Sequence, residues 1–481
     1  MNGLSKCAAI RAKRFSPIAA LLCLAACVPD LGPKPQLQAP QTLSAEKTFA
    51  GKDGQWPTDK WWQVYGDATL NQLEDEALQG SPDLKIAEAR FREAAAVSQE
   101  AGAALLPDLS LDASAQPTKE SLNQGFPKSF QTFLPHGWHT QTRVAGSLNY
   151  ELDLYGKNRA ALAAATSDER AAAVDVDETR LVLSTSVAGE YAELVRLSAD
   201  KEAAQDAVHV RQQSADQFAQ REREGLENRG AAAQAQAEAD AARADEDIID
   251  GQIGIVRDEL AALVGKGPDR GLEVPLPAAR DIQPLAPPPR LAADLIGRRP
   301  DLVAARLRAE AASERIKVAH ADFYPNIDLN GLIGFQSLDI SQVFMHASVI
   351  GAIGPALHLP IFDGGRIEGA YHGARASYDE AVATYDRTLV NSLHDVADAM
   401  VGERELQSEL DHSRAGLNQS EDAYRIANLR YRGGLSRYLD VLTAEDTLVA
   451  QRKRVADLEA SAFAQNVVLI RALGGGFRTS A

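Results

Sequence analysis

The sequence predicts a mainly α-helical chain with a small β component of membrane type, built by duplicating one unit of helix, two strands and a long helical hairpin. Three observations carry this. Two long tracts contain no proline, from His136 through Gly267 and from Ile361 to the C-terminus, and both are rich in good helix formers. Short segments ahead of each tract alternate apolar and polar residues with period two. The same motifs recur in the same order in both halves of the chain.

The N-terminus reads as an export signal. Lys6, Arg11, Lys13 and Arg14 precede an apolar run from Ile18 to Ala26, which is too short to span a bilayer as a helix. Leu24-Ala25-Ala26-Cys27 resembles a bacterial lipobox, so residues 1–26 are assigned as a signal peptide and Cys27 as the lipid-bearing first residue. The three cysteines are Cys7, Cys23 and Cys27, which leaves no internal disulfide after cleavage. Removing the leader strips four cations and no acid, taking the formal charge from −17 to about −21. Such acidity is a poor match for nucleic acid. Residues 27–57, rich in Pro, Gln, Ser and Thr, read as an extended leash.

The repeat is legible without gaps. Pro82-Asp83-Leu84 aligns with Pro300-Asp301-Leu302, and Pro107 then falls on Pro325. Further on, the stretch Leu152 to Arg159 parallels Leu359 to Arg366, and Glu224-Gly225-Leu226 parallels Gly433-Gly434-Leu435. The first unit is placed at 58–267, a Pro-rich linker at 268–290, the second unit at 291–476 and a tail at 477–481. Pro82 and Pro300 each open a helix of about 25 residues, with Ser81 available as a cap in the first copy and no good cap at Arg299 in the second.

After Pro107 the period becomes two. Leu109, Leu111 and Ala113 alternate with Asp108, Ser110 and Asp112. The return strand sets Val144, Gly146, Leu148, Tyr150, Leu152 and Leu154 against Arg143, Ala145, Ser147, Asn149, Glu151 and Asp153. The second half has matching segments near Asn326–Leu332 and Val349–Leu359. A connection rich in aromatics, from Pro117 to Gln141, separates the first pair. The proline-free tracts then break once each, at Gly225 and at Gly433-Gly434, which predicts two antiparallel helical hairpins. The longest helix, from about Gly365 to Arg430, would run roughly 100 Å. Four strands cannot close a barrel, and an open edge in lipid costs several kcal/mol per unsatisfied group, so copies of the chain must share one barrel.

No catalytic arrangement stands out. His136, His139 and His346 fall in the connections between strands without a third ligand nearby. Gly474-Gly475-Gly476 has no following Lys and Ser or Thr, so it is no phosphate loop. No enzyme, cofactor or metal is expected, apart from the covalent lipid on Cys27.

Together these motifs resemble the TolC-like outer-membrane factors of the NodT and OprM branch. Trp61-Trp62 with Asp67 and Leu70, Leu106-Pro107, Arg299-Pro300-Asp301-Leu302, Phe323-Tyr324-Pro325, the stretch Pro360 to Arg366, Tyr438-Leu439-Asp440-Val441-Leu442 and Ala472-Leu473-Gly474-Gly475-Gly476 carry the likeness over nearly the whole mature chain. The resemblance implies a homotrimer with a shared 12-stranded β-barrel and a periplasmic α-barrel, anchored in outer-membrane lipid. It implies an exit duct of a tripartite efflux system, serving drugs or toxic small molecules, with a periplasmic adaptor and an inner-membrane pump as partners. Val28 after the cysteine looks like release to the outer membrane. The resemblance further implies a gate at Leu439 and Asp440, with Thr443 standing where the family often has a second acid. It places the adaptor-docking tips at Gly225-Leu226 and Gly434-Leu435-Ser436. The rival readings are a lipidated periplasmic adaptor, which carries a single hairpin in a lipoyl-like domain, and a coiled-coil scaffold.

Overall fold

The computed structural model describes residues 28–39, 42–43, 55–121, 125, 127–133, 135–277 and 295–479 of the chain. The signal peptide and Cys27 lie outside the described residues, as does most of the linker. In chain order the main elements are α1 (Ala68–Gly80), α2 (Pro82–Ala103), β1 (Asp108–Thr118), β2 (His139–Glu151), α3 (Lys157–Arg223), α4 (Arg229–Leu263), α5 (Asp269–Leu272), α6 (Pro300–Ala321), β3 (Asn326–Ser337), β4 (Val349–His358), α7 (Arg366–Arg432) and α8 (Tyr438–Ala472). Both opening helices have 22 residues, both outgoing hairpin helices 67 and both returning helices 35.

The matched lengths refine the sequence alignment. Pairing Lys157 with Arg366 at the start of the long helices also pairs Gly225 with Gly434 and Asn228 with Arg437. The stretches 152–159 and 359–366 therefore match two residues out of the helix register. Each stretch nevertheless supplies an acid to the new helix. Asp153 accepts from the backbone N–H groups of Asn158 and Arg159, and Asp363 from those of Gly365 and Ile367. For this reason the alternation of the return strand stops at Glu151: Asp153 is taken up by the helix start rather than by the sheet.

The chain divides into two compact units, each gathering segments from both halves of the sequence. One holds residues 1–36, 92–170 and 307–383. It contains a single antiparallel sheet in the order β1-β2-β3-β4. Residues paired across antiparallel strands share a face. One such row is Leu111, Gly146, Ile333 and Gly351, and the next is Leu109, Leu148, Gly331 and Ile353. On this face Leu109, Leu111, Ile333 and Ile353 are 72–78% exposed, so none of the described residues covers them. The opposite face carries Asp108, Asn149 and Asn330 in one row and Ser110 and Ser147 in another. β3 runs on to Ser337, past the expected end at Leu332, because Gly331 and Gly334 hide the alternation. His139 is the first residue of β2 rather than part of the connection.

In the same unit the leash is docked. Arg375 on α7 donates to the carbonyls of Gly32 and Pro33, and the Tyr378 hydroxyl donates to Pro35. The carbonyls of Gly32, Pro33 and Pro35 are thus bound.

The second unit holds residues 37–91, 171–306 and 384–481. Its main core sets Trp61, Trp62, Leu70 and Leu73 against Val187, Tyr191, Leu260, Phe463 and Ile470. Asp67 caps α1 by accepting from the N–H groups of Thr69 and Leu70, and it also accepts from the Tyr191 hydroxyl at 2.9 Å. The Arg299-Pro300-Asp301-Leu302 motif is a fastening. Arg299 holds both oxygens of Asp301, reaches Asp395 at 2.9 Å and donates to the Ala472 carbonyl. Leu302 fills a cluster with Ala305, Tyr385 and Leu389. The three C-terminal glycines are sites of close approach. A side chain at Gly474 would overlap the Arg298 carbonyl, and one at Gly476 the backbone of Thr58.

Candidate functional site: hairpin tips and the start of the last helix

Both hairpins turn by the same backbone device. α3 ends with Gly225 at φ 72°, and α7 ends with Gly434 at φ 70°. The Gly225 N–H donates to the Glu222 carbonyl and the Leu226 N–H to Arg221, both at 2.9 Å. Gly434 donates to Tyr431 and Leu435 to Arg430, again at 2.9 Å. This is the Schellman arrangement, which satisfies the last carbonyls and needs a left-handed residue that glycine supplies without strain. It leaves one leucine standing out at each tip, with Leu226 63% and Leu435 75% exposed. Ser436 follows Leu435 and is half-buried.

The two returning helices start differently. At α4 the Asn228 side chain accepts from the Ala231 N–H at 3.0 Å. At α8 the equivalent residue is Arg437, which offers no acceptor. There the bond runs the other way, and the Asp440 carboxylate accepts from the Arg437 N–H at 3.2 Å. Asp440 thus has a structural task as a first-turn acid at a helix N-terminus.

The gate residues named by the resemblance share one side of α8. Leu439, Asp440 and Thr443 are exposed, and the Thr443 hydroxyl donates to the Leu439 carbonyl at 2.9 Å. The opposite stripe of the helix, Val441, Glu445 and Leu448, is buried.

Sequence reading passed over Glu445. It is 4% exposed, and burial pushes its carboxyl up to about 7, an effect opposed by Arg211 and reinforced by Asp446 and Glu238. Its spacing from Val441 and Leu448 was the available signal. Among the described residues no group of three or more His, Cys, Asp or Glu could hold a metal ion. Nor is any described helix long and apolar enough to cross a membrane.

With this geometry in view, the comparisons identify the family. The chain belongs to the outer membrane efflux protein family, matching it over residues 73–266 and 291–475. It is 29% identical to the multidrug resistance outer membrane protein MdtP of Escherichia coli K12 over 476 residues, covering 93% of this chain and 92% of that one. It is 41% identical to the outer membrane protein VceC of Vibrio cholerae, with a TM-score of 0.80 over 88% of this chain and all of that one. The outer-membrane channel OprN is 26% identical, with a TM-score of 0.82 over 93% of this chain and 98% of that one. The protein is therefore an outer-membrane channel component of efflux, and the adaptor and scaffold readings fall away.

Proposed function

We propose that this protein is a passive, gated exit duct that works as a homotrimer, three copies of the four-stranded sheet closing one twelve-stranded barrel. The observation that carries this is the sheet. It has an uncovered apolar face and two edge strands, β1 and β4, with no partner strand in the described chain. In lipid those edges must pair, and a second copy of the chain is the available partner. The two-repeat division at 58–267 and 291–476 then gives each copy two strands and one hairpin per repeat.

In this reading Cys27 carries the lipid. Leu439 forms an apolar constriction and three copies of Asp440 form a carboxylate ring that favours cations. Thr443 replaces the second ring with a neutral hydroxyl. The tips at Gly225-Leu226 and Gly434-Leu435-Ser436 offer small, apolar docking points for a periplasmic adaptor, which links the duct to an inner-membrane pump. The cargo class, drugs or other toxic small molecules, is supported by the similarity to MdtP, a multidrug resistance outer membrane protein. No catalytic step is assigned.

The test is the conductance of detergent-extracted protein in a planar bilayer. Small, discrete, cation-selective openings are expected. Asp440→Asn should keep the acceptor for the Arg437 N–H while abolishing cation preference. Openings without charge selectivity in the native protein would remove Asp440 from the gate, and failure to insert would sink the duct.

A further inference from the structure

We infer that a pocket between α3, α7 and α8 binds a small organic cation, an alkylammonium or guanidinium head on a short apolar body. The pocket has a volume of about 180 Å³. An apolar cavity of about 150 Å³ accepts a benzene-sized guest, so the size suits such a ligand. Ala207 and Val210 of α3 and Leu448 and Val449 of α8 form apolar walls, and the Tyr424 ring of α7 adds an aromatic one.

Glu445 supplies the buried carboxyl, and Asp206, Glu421 and Arg452 also line the pocket. Glu445 lines this pocket, is 4% exposed, and among the described residues no hydrogen bond reaches its carboxyl. Burial disfavours its charged form, and the nearby Arg211 offsets only part of that. A cation in the pocket would offset the rest.

The surrounding charges point the same way. Arg211 of α3 is held by Asp446 at 2.9 Å. Arg452 of α8 is shared between Glu421 at 3.3 Å and Asp206 at 3.8 Å. Glu238 of α4 adds a further negative charge at longer range. Both arginines are thus committed to other acids, and the neighbourhood stays net negative around Glu445. The site is separate from Asp440, which lies on the opposite, exposed side of α8. It is built within one chain and does not rest on the duct reading.

The experiment is isothermal titration of the full-length protein in detergent with n-butylammonium chloride, using n-butanol as the neutral control and potassium chloride at matched ionic strength. Saturable binding is expected at pH 8. It should weaken roughly tenfold at pH 6, where the carboxyl is mostly protonated, and by about as much in Glu445→Gln. Val449→Phe, which fills the pocket and leaves the carboxyl in place, should also abolish binding. Binding that is equal for butanol, unchanged in Glu445→Gln, or absent at pH 8 from a folded protein would overturn the proposal.

Discussion

Glu74 is a buried acid in the middle of α1, flanked by the core residues Leu73 and Ala77. Among the described residues, neither carboxyl oxygen has a hydrogen-bond partner. Burial, reinforced by the charge of Asp75, pushes its pKa from 4.5 to about 9. The folded protein therefore holds this proton more tightly than the unfolded chain does. Stability contributed by the neutral form is complete below about 4.5 and is lost as pH climbs toward about 9. Glu74→Gln keeps the shape and removes the titration. Its thermal midpoint should exceed that of the native protein at alkaline pH and match it under acid, as read from melts across that range. Glu76, two residues on, is the opposite case. Arg270, with help from Lys266, holds its carboxyl down to about 2, at contacts of 3.0 and 2.9 Å. Spacing along α1 distinguishes none of this, because the partners come from residues far along the chain.

At the scale of elements, the turn between α7 and α8 rests on Gly434. Nothing crowds the space where its side chain would stand, so only the backbone conformation resists substitution. Gly434→Val should cost on the order of 1–2 kcal/mol per chain from the left-handed penalty, and denaturant titration reads that loss. The sheet is the second test. Leu111 lies on the uncovered apolar face and is 76% exposed. Leu111→Arg should cost about 2–4 kcal/mol of stability in membranes if it lies near the bilayer midplane, and little in the aqueous-facing helices. An equal change at Ser110, one residue along and on the opposite face, should be mild. A small effect at Leu111 with a large one at Ser110 would invert the assignment of faces.

At the scale of the whole molecule, the duct requires copies of the chain. Chemical cross-linking of detergent-extracted protein should stop at three chains. Trypsin should leave a detergent-protected, β-rich core of two peptides, one carrying β1 and β2 and the other β3 and β4. A ladder stopping at two, or a sheet digested with the rest, would be incompatible with a shared twelve-stranded barrel. The docked leash bears on anchoring. Arg375 and Tyr378 grip backbone carbonyls, and the Lys34 ammonium lies 5.8 Å from the centre of the Tyr378 ring. Arg375→Ala should therefore expose residues 32–35 to proteolysis.

Much of the architecture was already legible in the order of residues. Helix lengths, the two glycine tips, the proline starts and the alternating strands depend on local propensity and periodicity, and these are properties of neighbouring residues. The family likeness followed from motifs whose spacing is equally local. What the tertiary structure decided depends on residues distant along the chain. It joined β2 to β3 across the two halves, a pairing no local pattern contains. It docked the leash on α7 and gave Asp440 a capping bond that its spacing only suggested. It buried Glu74 and Glu445 against other helices, where burial rather than sequence context sets their charge.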